Sequence, residues 1–236
     1  MRSLTNGRSS SVLPDAQDKR AVVEAMFDRI AGDYERVNRI ISLGCDSRWR
    51  RRVVDGLGLL PGAVVMDMAC GTGDLCRALA AGGYQSVGID FSAGMLSQAK
   101  NTGALVRADV CMLPVRDGAA DGVTCGFALR NLVDLPSFFS ECARVLRPGG
   151  RMAVIDAATP ENAVARTGHQ LWFGHVVPWL GARMSESEAY RYLAASTAYL
   201  PSAEELAALA ERAGFDDVGL STLMWGAVKL LIATRP

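Results

Sequence analysis

The stretch Val64-Val65-Met66-Asp67-Met68-Ala69-Cys70-Gly71-Thr72-Gly73-Asp74, followed by Gly88-Ile89-Asp90, constrains the fold of this chain more than any other. An apolar run of strand length breaks at a glycine turn, a helical stretch follows, and a carboxylate ends the next apolar run nineteen residues after Gly71. Gly71 and Gly73 allow a sharp turn and a close approach of backbone to ligand, because neither carries a Cβ. Asp90 is then placed to accept hydrogen bonds from a ribose diol. The pattern points to a nucleoside cofactor on a strand-turn-helix unit.

A dinucleotide fingerprint would need glycine at position 76, where this chain has Cys76. Asp67 before the turn and Asp74 after it disfavour a pyrophosphate and suit a ligand that carries an amino group and a sulfonium. S-adenosylmethionine (SAM) fits those demands, with Asp67, Gly71, Thr72, Gly73 and Asp90 as its candidate contacts. A tight turn that holds no ligand is the bland alternative.

Periodicity organises the rest. Apolar residues at helical spacing predict helices over Asp18–Gly32, around Val37–Ile41, and over Asp46–Leu57 with Asp46 as N-cap. Residues 18–60 thus read as a helical cap. Strands are expected at Ala63–Met68, Ser86–Ile89, Ala104–Ala108, Gly122–Phe127 and Arg151–Ala157, with helices between them. Near-continuous apolar strands alternating with helices imply a parallel sheet covered on both faces. Arg147-Pro148-Gly149-Gly150 reads as a tight turn into the fifth strand. Residues 161–213 read as a helical insertion on the substrate side, its first helix interrupted at Pro178, and Gly214 fits a helix C-cap. Asp217–Leu223 and Ala227–Ala233 read as an antiparallel pair. One domain over 18–236 follows, after a Ser- and Arg-rich segment 1–17 that reads as a disordered tail, or less readily as a short transit peptide.

With 50% hydrophobic and 21% charged residues, the composition is that of a folded globular protein. Twenty-five basic and 25 acidic residues cancel, so no global attraction to nucleic acid is expected. Six cysteines without a C-x-x-C pair suit reduced, mostly buried thiols in a cytoplasmic protein. His169 and His175, the two histidines, have no carboxylate at fixed spacing, so surface or capping roles are expected and no metal site.

Met26-Phe27-Asp28-Arg29-Ile30-Ala31-x-x-Tyr34, Asn38, Ser42-Leu43-Gly44 and Trp49-Arg50-Arg51 resemble the quinone-biosynthesis C-methyltransferase family. So do Gly126-Phe127-Ala128-Leu129-Arg130-Asn131, Arg144-Val145-Leu146-Arg147-Pro148-Gly149-Gly150 and Tyr190-Arg191-Tyr192-Leu193-x-x-Ser196. The match runs from about Val23 to the C-terminus. The resemblance implies an α/β class I SAM methyltransferase (Rossmann-like) fold, a mostly parallel seven-stranded sheet with an antiparallel edge strand and an N-terminal helical cap. It implies SAM as cofactor and a demethylmenaquinol-type or ubiquinol-precursor substrate. Carried residue by residue, the family's cofactor contacts fall on Thr72, Asp90, the Asp109-Val110 pair and Gly126. Two positions depart from the family's pattern: Gly126 stands where serine is usual, and the last strand carries no histidine.

C-methylation of a hydroquinone needs ring electron density, which rises when a neighbouring phenol ionises. Arg130 and Asn131 follow the fourth strand, at the sheet edge where such folds bind ligands. Arg130 is expected to stabilise the phenolate, Asn131 to orient the ring oxygen, and Tyr34 to close over the methyl group; a solvated loop and a packing aromatic are the alternatives. The Arg48, Arg50, Arg51, Arg52 cluster reads as a salt-bridged helix face or as a lipid-headgroup contact. Trp172, Phe173, Val176, Val177, Trp179 and Leu180 could line a prenyl channel, sit at a membrane interface, or pack in the core. The expected partner is a small-molecule, prenylated quinol; peripheral membrane contact and a homodimer stay open. Another aromatic or polyketide-like substrate, and a non-catalytic SAM-binding subunit, are the competing functions.

Overall fold

The computed structural model describes residues 19–177, 192 and 195–236. The segment 1–17 and most of the helix expected after Glu186 lie outside the described residues, as do Pro178, Trp179 and Leu180.

Seven strands form one sheet in the order β3-β2-β1-β4-β5-β7-β6. They are β1 (Val64–Met68), β2 (Gln85–Asp90), β3 (Ala104–Arg107), β4 (Ala120–Gly126), β5 (Leu146–Ala157), β6 (Asp216–Leu223) and β7 (Val228–Thr234). β1 to β5 pair in parallel, while β7 is antiparallel to both β5 and β6. The antiparallel pairing sits at the expected edge, and the reversed strand is β7, one in from that edge. β1 lies between β2 and β4, where the strand order reverses. In open α/β sheets the crevice beyond the strand ends at that point is where ligands bind.

Helices cover both faces because both carry apolar side chains. On one, α3 (Asp46–Leu57) and α4 (Asp74–Ala81) bury Val53, Leu57, Leu75 and Leu79 against Val65, Ala153 and Ile155. On the other, α6 (Leu135–Val145) and α8 (Ala203–Arg212) bury Phe138, Phe139, Cys142 and Leu206 against Met68, Val123, Met152 and Val154. Burial of this kind contributes about 1.5–3 kcal/mol per large apolar side chain. Two shorter helices among the described residues are α5 (Ala93–Gln98) and α7 (Ala163–Leu171).

Local expectations fail in two places. Cys45, not Asp46, precedes α3 and gives no side-chain cap. Asp46 instead sits at the first helical position, where its carboxylate accepts from Ser42 Oγ (3.2 Å) and pairs with Arg50 one turn on (2.6 Å). Strand β5 runs through Arg147–Gly150; the four residues are taken up as an irregularity, since Ala120 pairs with Leu146 and Gly122 with Arg151. The helix begun at Ala163 widens to a π turn at Trp172–Val176, and the interruption expected at Pro178 lies outside the described residues.

Of the three helices expected as a cap, α3 packs on the sheet face instead, and the two before it lie over the site. α1 (Lys19–Ile30) is tied to the start of α5 by Asp28, whose carboxylate accepts from Gly94 N (2.9 Å) and from Ser92 Oγ. Lys19 Nζ donates to the Arg130 and Leu132 carbonyls, both at 3.0 Å. α2 (Tyr34–Ile41) then lays Tyr34 over the glycine turn.

Candidate active site

The loop after β1 needs unusual backbone at three alternate positions: Ala69, Gly71 and Gly73 all have positive φ (55°, 56° and 82°). Gly71 N donates to Asp90 Oδ2 (2.8 Å), and Ser92 N donates to Asp90 Oδ1 (2.8 Å). One carboxylate therefore shapes both the glycine turn and the start of α5 while facing the cavity between them. Burial raises its pKa, partly offset by these backbone donors.

That cavity holds about 530 Å³ and is lined by Gly71, Asp90, Asp109, Val110, Gly126 and Asn131, with Tyr34 on the cap side. Asp109 bonds to Cys111 N (3.0 Å) and pairs with Arg20 of α1 (2.9 Å), which holds it at the rim. A smaller cleft of about 40 Å³ adjoins it, shared by Tyr34, Asp67, Gly71, Thr72 and Gly126.

Asp67 and Gly73, expected at the cofactor, do not line the larger cavity, and of the two only Asp67 reaches the cleft. Asp67 is 1% exposed and accepts from Thr124 Oγ1 (2.9 Å) and Cys76 Sγ (3.4 Å). Burial pushes its carboxyl up to about 7. Gly73 lines neither space; a Cβ there would collide with the Thr102 methyl, so the glycine serves close packing. The charge assigned to Asp74 is also absent as a free charge. Its carboxylate holds Arg50 (2.6 Å) and Arg77.

Thr72 carries the test of fit for a cofactor. Its Oγ1 is buried and has no hydrogen-bond partner among the described residues, which costs stability unless a ligand supplies one. With Asp90 for a diol, Asp109 for an amino group and the Thr72 hydroxyl, the donor set fits SAM. Gly126 gives the cavity no side chain, and a Cβ there would meet only ordinary contacts, from Leu75 and Ile155.

A second cavity of about 790 Å³ lies on the other side of Phe127, which lines both. Phe127 has φ 61°, a conformation rare outside glycine, and its ring packs on Trp49 at 6.0 Å. Such strain clusters at functional positions. The walls are mostly apolar: Ile41, Trp49, Ala157, Trp172 and Val228. The polar groups are few, chiefly Arg130, His169 and the Asp46–Arg50 pair.

Arg130 is not on a solvated loop. It is 6% exposed and paired with Asp156 at 1% exposure. Its Nε donates to Ser196 Oγ (3.2 Å), its Nη1 to the Phe127 carbonyl (2.7 Å) and to Asp156, and its backbone N–H to Asp156 Oδ2 (3.0 Å). Nη2 makes no hydrogen bond among the described residues, which leaves it for an oxygen in the cavity. Asn131, expected beside the ring oxygen, faces the cofactor cavity instead, and its Oδ1 accepts from Tyr192 O–H (3.1 Å). The strings Leu129-Arg130-Asn131 and Tyr192…Ser196 thus hold each other: Tyr192 on Asn131, Ser196 on Arg130.

Tyr34 stands at the junction of the cofactor cavity and the cleft, edge-on to Phe27 at 5.9 Å, its hydroxyl pKa raised by burial. His169 is half-buried against the large cavity, contrary to the surface role expected, whereas His175 is exposed. Of the arginine cluster, Arg50 is taken by two carboxylates; Arg48, Arg51 and Arg52 are exposed and form no ion pair among the described residues. Sequence reasoning missed Asp156 and Thr124, and gave no role to Ser196. Asp156 had a legible signal, a carboxylate near the end of an apolar strand.

Comparison with known proteins identifies the family. The model of the ubiE/COQ5 methyltransferase family matches residues 14–235. A demethylmenaquinone methyltransferase of Mycolicibacterium vanbaalenii is 40% identical over 215 residues, 90% of this chain and 94% of that protein. A ubiquinone/menaquinone biosynthesis C-methyltransferase UbiE of Desulfotalea psychrophila is 40% identical, covering 87% of each. Among solved structures, a SAM-dependent methyltransferase of Thermotoga maritima, a possible histamine N-methyltransferase, superposes with a TM-score of 0.66 at 18% identity, over 90% of this chain and 99% of its own. That likeness is one of fold. The match across nearly the full length, with relatives this similar, places the chain in the ubiE/COQ5 methyltransferase family.

Proposed function

We propose that the protein transfers a methyl group from SAM to a ring carbon of a prenylated quinol of the demethylmenaquinol type. The observation that carries this is the pair of cavities meeting at Phe127, one presenting the carboxylates of Asp90 and Asp109, the other large, apolar and furnished with a clamped arginine. The names of the relatives agree with it. A volume of about 790 Å³ accommodates a ring and the first part of an apolar tail.

When bound, SAM supplies an electrophilic methyl group on a sulfonium. Asp90, Asp109 and Thr72 hold it, with Asp67 beneath the turn supporting the loop. Tyr34 and Phe127 shield the space between the two cavities from water, which strengthens electrostatic interactions there. Arg130 Nη2 donates to the ring oxygen that carries developing phenolate charge, and Asp156, Ser196 and the Phe127 carbonyl keep the guanidinium aimed. Fixed donors of this kind act without reorganising during reaction.

Contact with a membrane surface belongs to the same proposal. The rim of the large cavity carries exposed Leu43 (56%), Val164 (82%) and Trp225 (85%), from three separate elements. Exposed apolar side chains grouped around an apolar opening suit a lipid surface. No described helix is long and apolar enough to cross a membrane, so the contact proposed is peripheral.

The test is incubation with labelled SAM and a panel of reduced naphthoquinols, benzoquinols and unprenylated phenols. Preferential labelling of the prenylated naphthoquinol is expected; preference for an unprenylated phenol would contradict the proposal.

A further inference from the structure

We infer that His169 is a further catalytic residue, the base that takes the proton from the quinol hydroxyl; this rests on the function proposed above. Ala165, Gly168, His169 and Trp172 recur at positions i, i+3, i+4 and i+7, so α7 and the turn after it present one continuous stripe to the large cavity. Trp172 Nε1 donates to the Ile41 carbonyl (3.2 Å) and so fixes this stripe against α2. Gly168 leaves open space beside the imidazole, since a Cβ there would meet nothing.

Among the described residues, the other charged groups lining the cavity are Asp46 and Arg50 of α3 and Arg130 after β4, with Asp156 behind Arg130. Both carboxylates already hold a guanidinium, and protonating either would strand a buried cation. His169 is the imidazole in this wall. Burial lowers its pKa, which keeps it neutral and able to accept a proton at pH 7.

The step balances without further reactants. The hydroxyl proton passes to the imidazole, and the resulting phenolate is held by Arg130. The ring carbon uses its electron pair to bond the methyl carbon while the carbon–sulfur pair stays on sulfur. The ring C–H proton then leaves to solvent as the imidazolium returns its proton to oxygen. The products are methylated quinol, the thioether S-adenosylhomocysteine and one proton.

The experiment is a pH profile of turnover for the full chain and for His169→Gln, with demethylmenaquinol and SAM. His169→Gln is expected to lower kcat at pH 7 by about 10²–10⁴-fold, with SAM affinity and quinol KM near wild type. Its activity should recover only toward pH 10, the range in which a phenol ionises unaided at about 10. A kcat within about threefold of wild type and an unchanged acid limb would overturn the assignment. A second measurement does not depend on the variant folding. In the wild-type protein, imidazole resonances are followed while demethylmenaquinol and S-adenosylhomocysteine are added, with His175→Gln to assign the two histidines. The His169 signal should move and that of His175 should not; a stationary His169 signal overturns the inference. Absence of wild-type turnover on every quinol would remove the proposed function and this inference together. Turnover with an unchanged His169→Gln profile would remove the inference alone.

Discussion

Replacing Asp156 by Asn should destabilise the protein far more than an exposed substitution would, and the structure sets the scale. Asp156 is 1% exposed, and its two oxygens take Arg130 Nη1, the Arg130 backbone N–H (3.0 Å) and the Ala157 N–H (2.6 Å). An amide keeps one acceptor, loses the charge and turns an NH2 group toward donors. Breaking a buried ion pair from one side costs about 3–5 kcal/mol, because the remaining charge is stranded. The folded-to-unfolded ratio should therefore fall by about two to three and a half orders of magnitude. Arg130→Met strands the carboxylate instead and should cost a similar amount, relieved as pH falls. The double variant Arg130→Met/Asp156→Asn should recover most of the loss, since a matched apolar and neutral pair leaves no buried charge. Urea unfolding followed by circular dichroism at pH 7 closes the cycle. A loss below about 1 kcal/mol for Asp156→Asn, or simple additivity of the two changes, would refute the buried clamp.

Asp90→Ala should weaken SAM binding by about 1.5–3 kcal/mol per lost charged hydrogen bond, read by calorimetry; unchanged affinity in a folded variant would remove Asp90 from the site. Asp67, with its carboxyl pushed up to about 7 from an ordinary value near 3.8, binds a proton in the folded state that the unfolded chain has released. Its contribution is present below pH 4 and is lost as pH rises from about 4 to 7, so Asp67→Asn should gain stability relative to wild type across that window, by at most about 4 kcal/mol. Denaturant midpoints at pH 5 and pH 8 check the sign. Trp225→Ser with Leu43→Ser should abolish co-flotation with anionic vesicles while sparing methylation of a short-chain quinol; retained flotation would move the membrane contact elsewhere on the surface.

The parallel sheet and the cofactor edge were legible because their signals are local. Apolar runs of strand length, the glycine turn and a carboxylate at the end of β2 each follow from neighbouring residues. Charge state was not legible in the same way. Asp74 counted as free negative charge in sequence, yet Arg50, twenty-four residues earlier, and Arg77 neutralise it. Arg130 and Asn131 are adjacent in sequence but face different cavities, since the 3-10 turn over Leu129–Asn131 directs neighbours apart. His169 lacked a carboxylate at fixed spacing, and the cavity it lines is shared with α2, α3 and β7, elements no local pattern brings together. Asp46 looked like an N-cap but is one position inside α3, where a salt bridge to Arg50 holds it.

The most direct test of the account is the position of the transferred methyl. Full-length protein is given SAM with a deuterated methyl group and demethylmenaquinol, either reduced or left as the quinone, and the product is fragmented in a mass spectrometer. Ring carbon is nucleophilic only in the reduced form, so the label should appear on the ring, with both hydroxyls free, and only in the reduced sample. Label on an oxygen, transfer to the oxidised ring, or no transfer to either would contradict quinol C-methylation at this site.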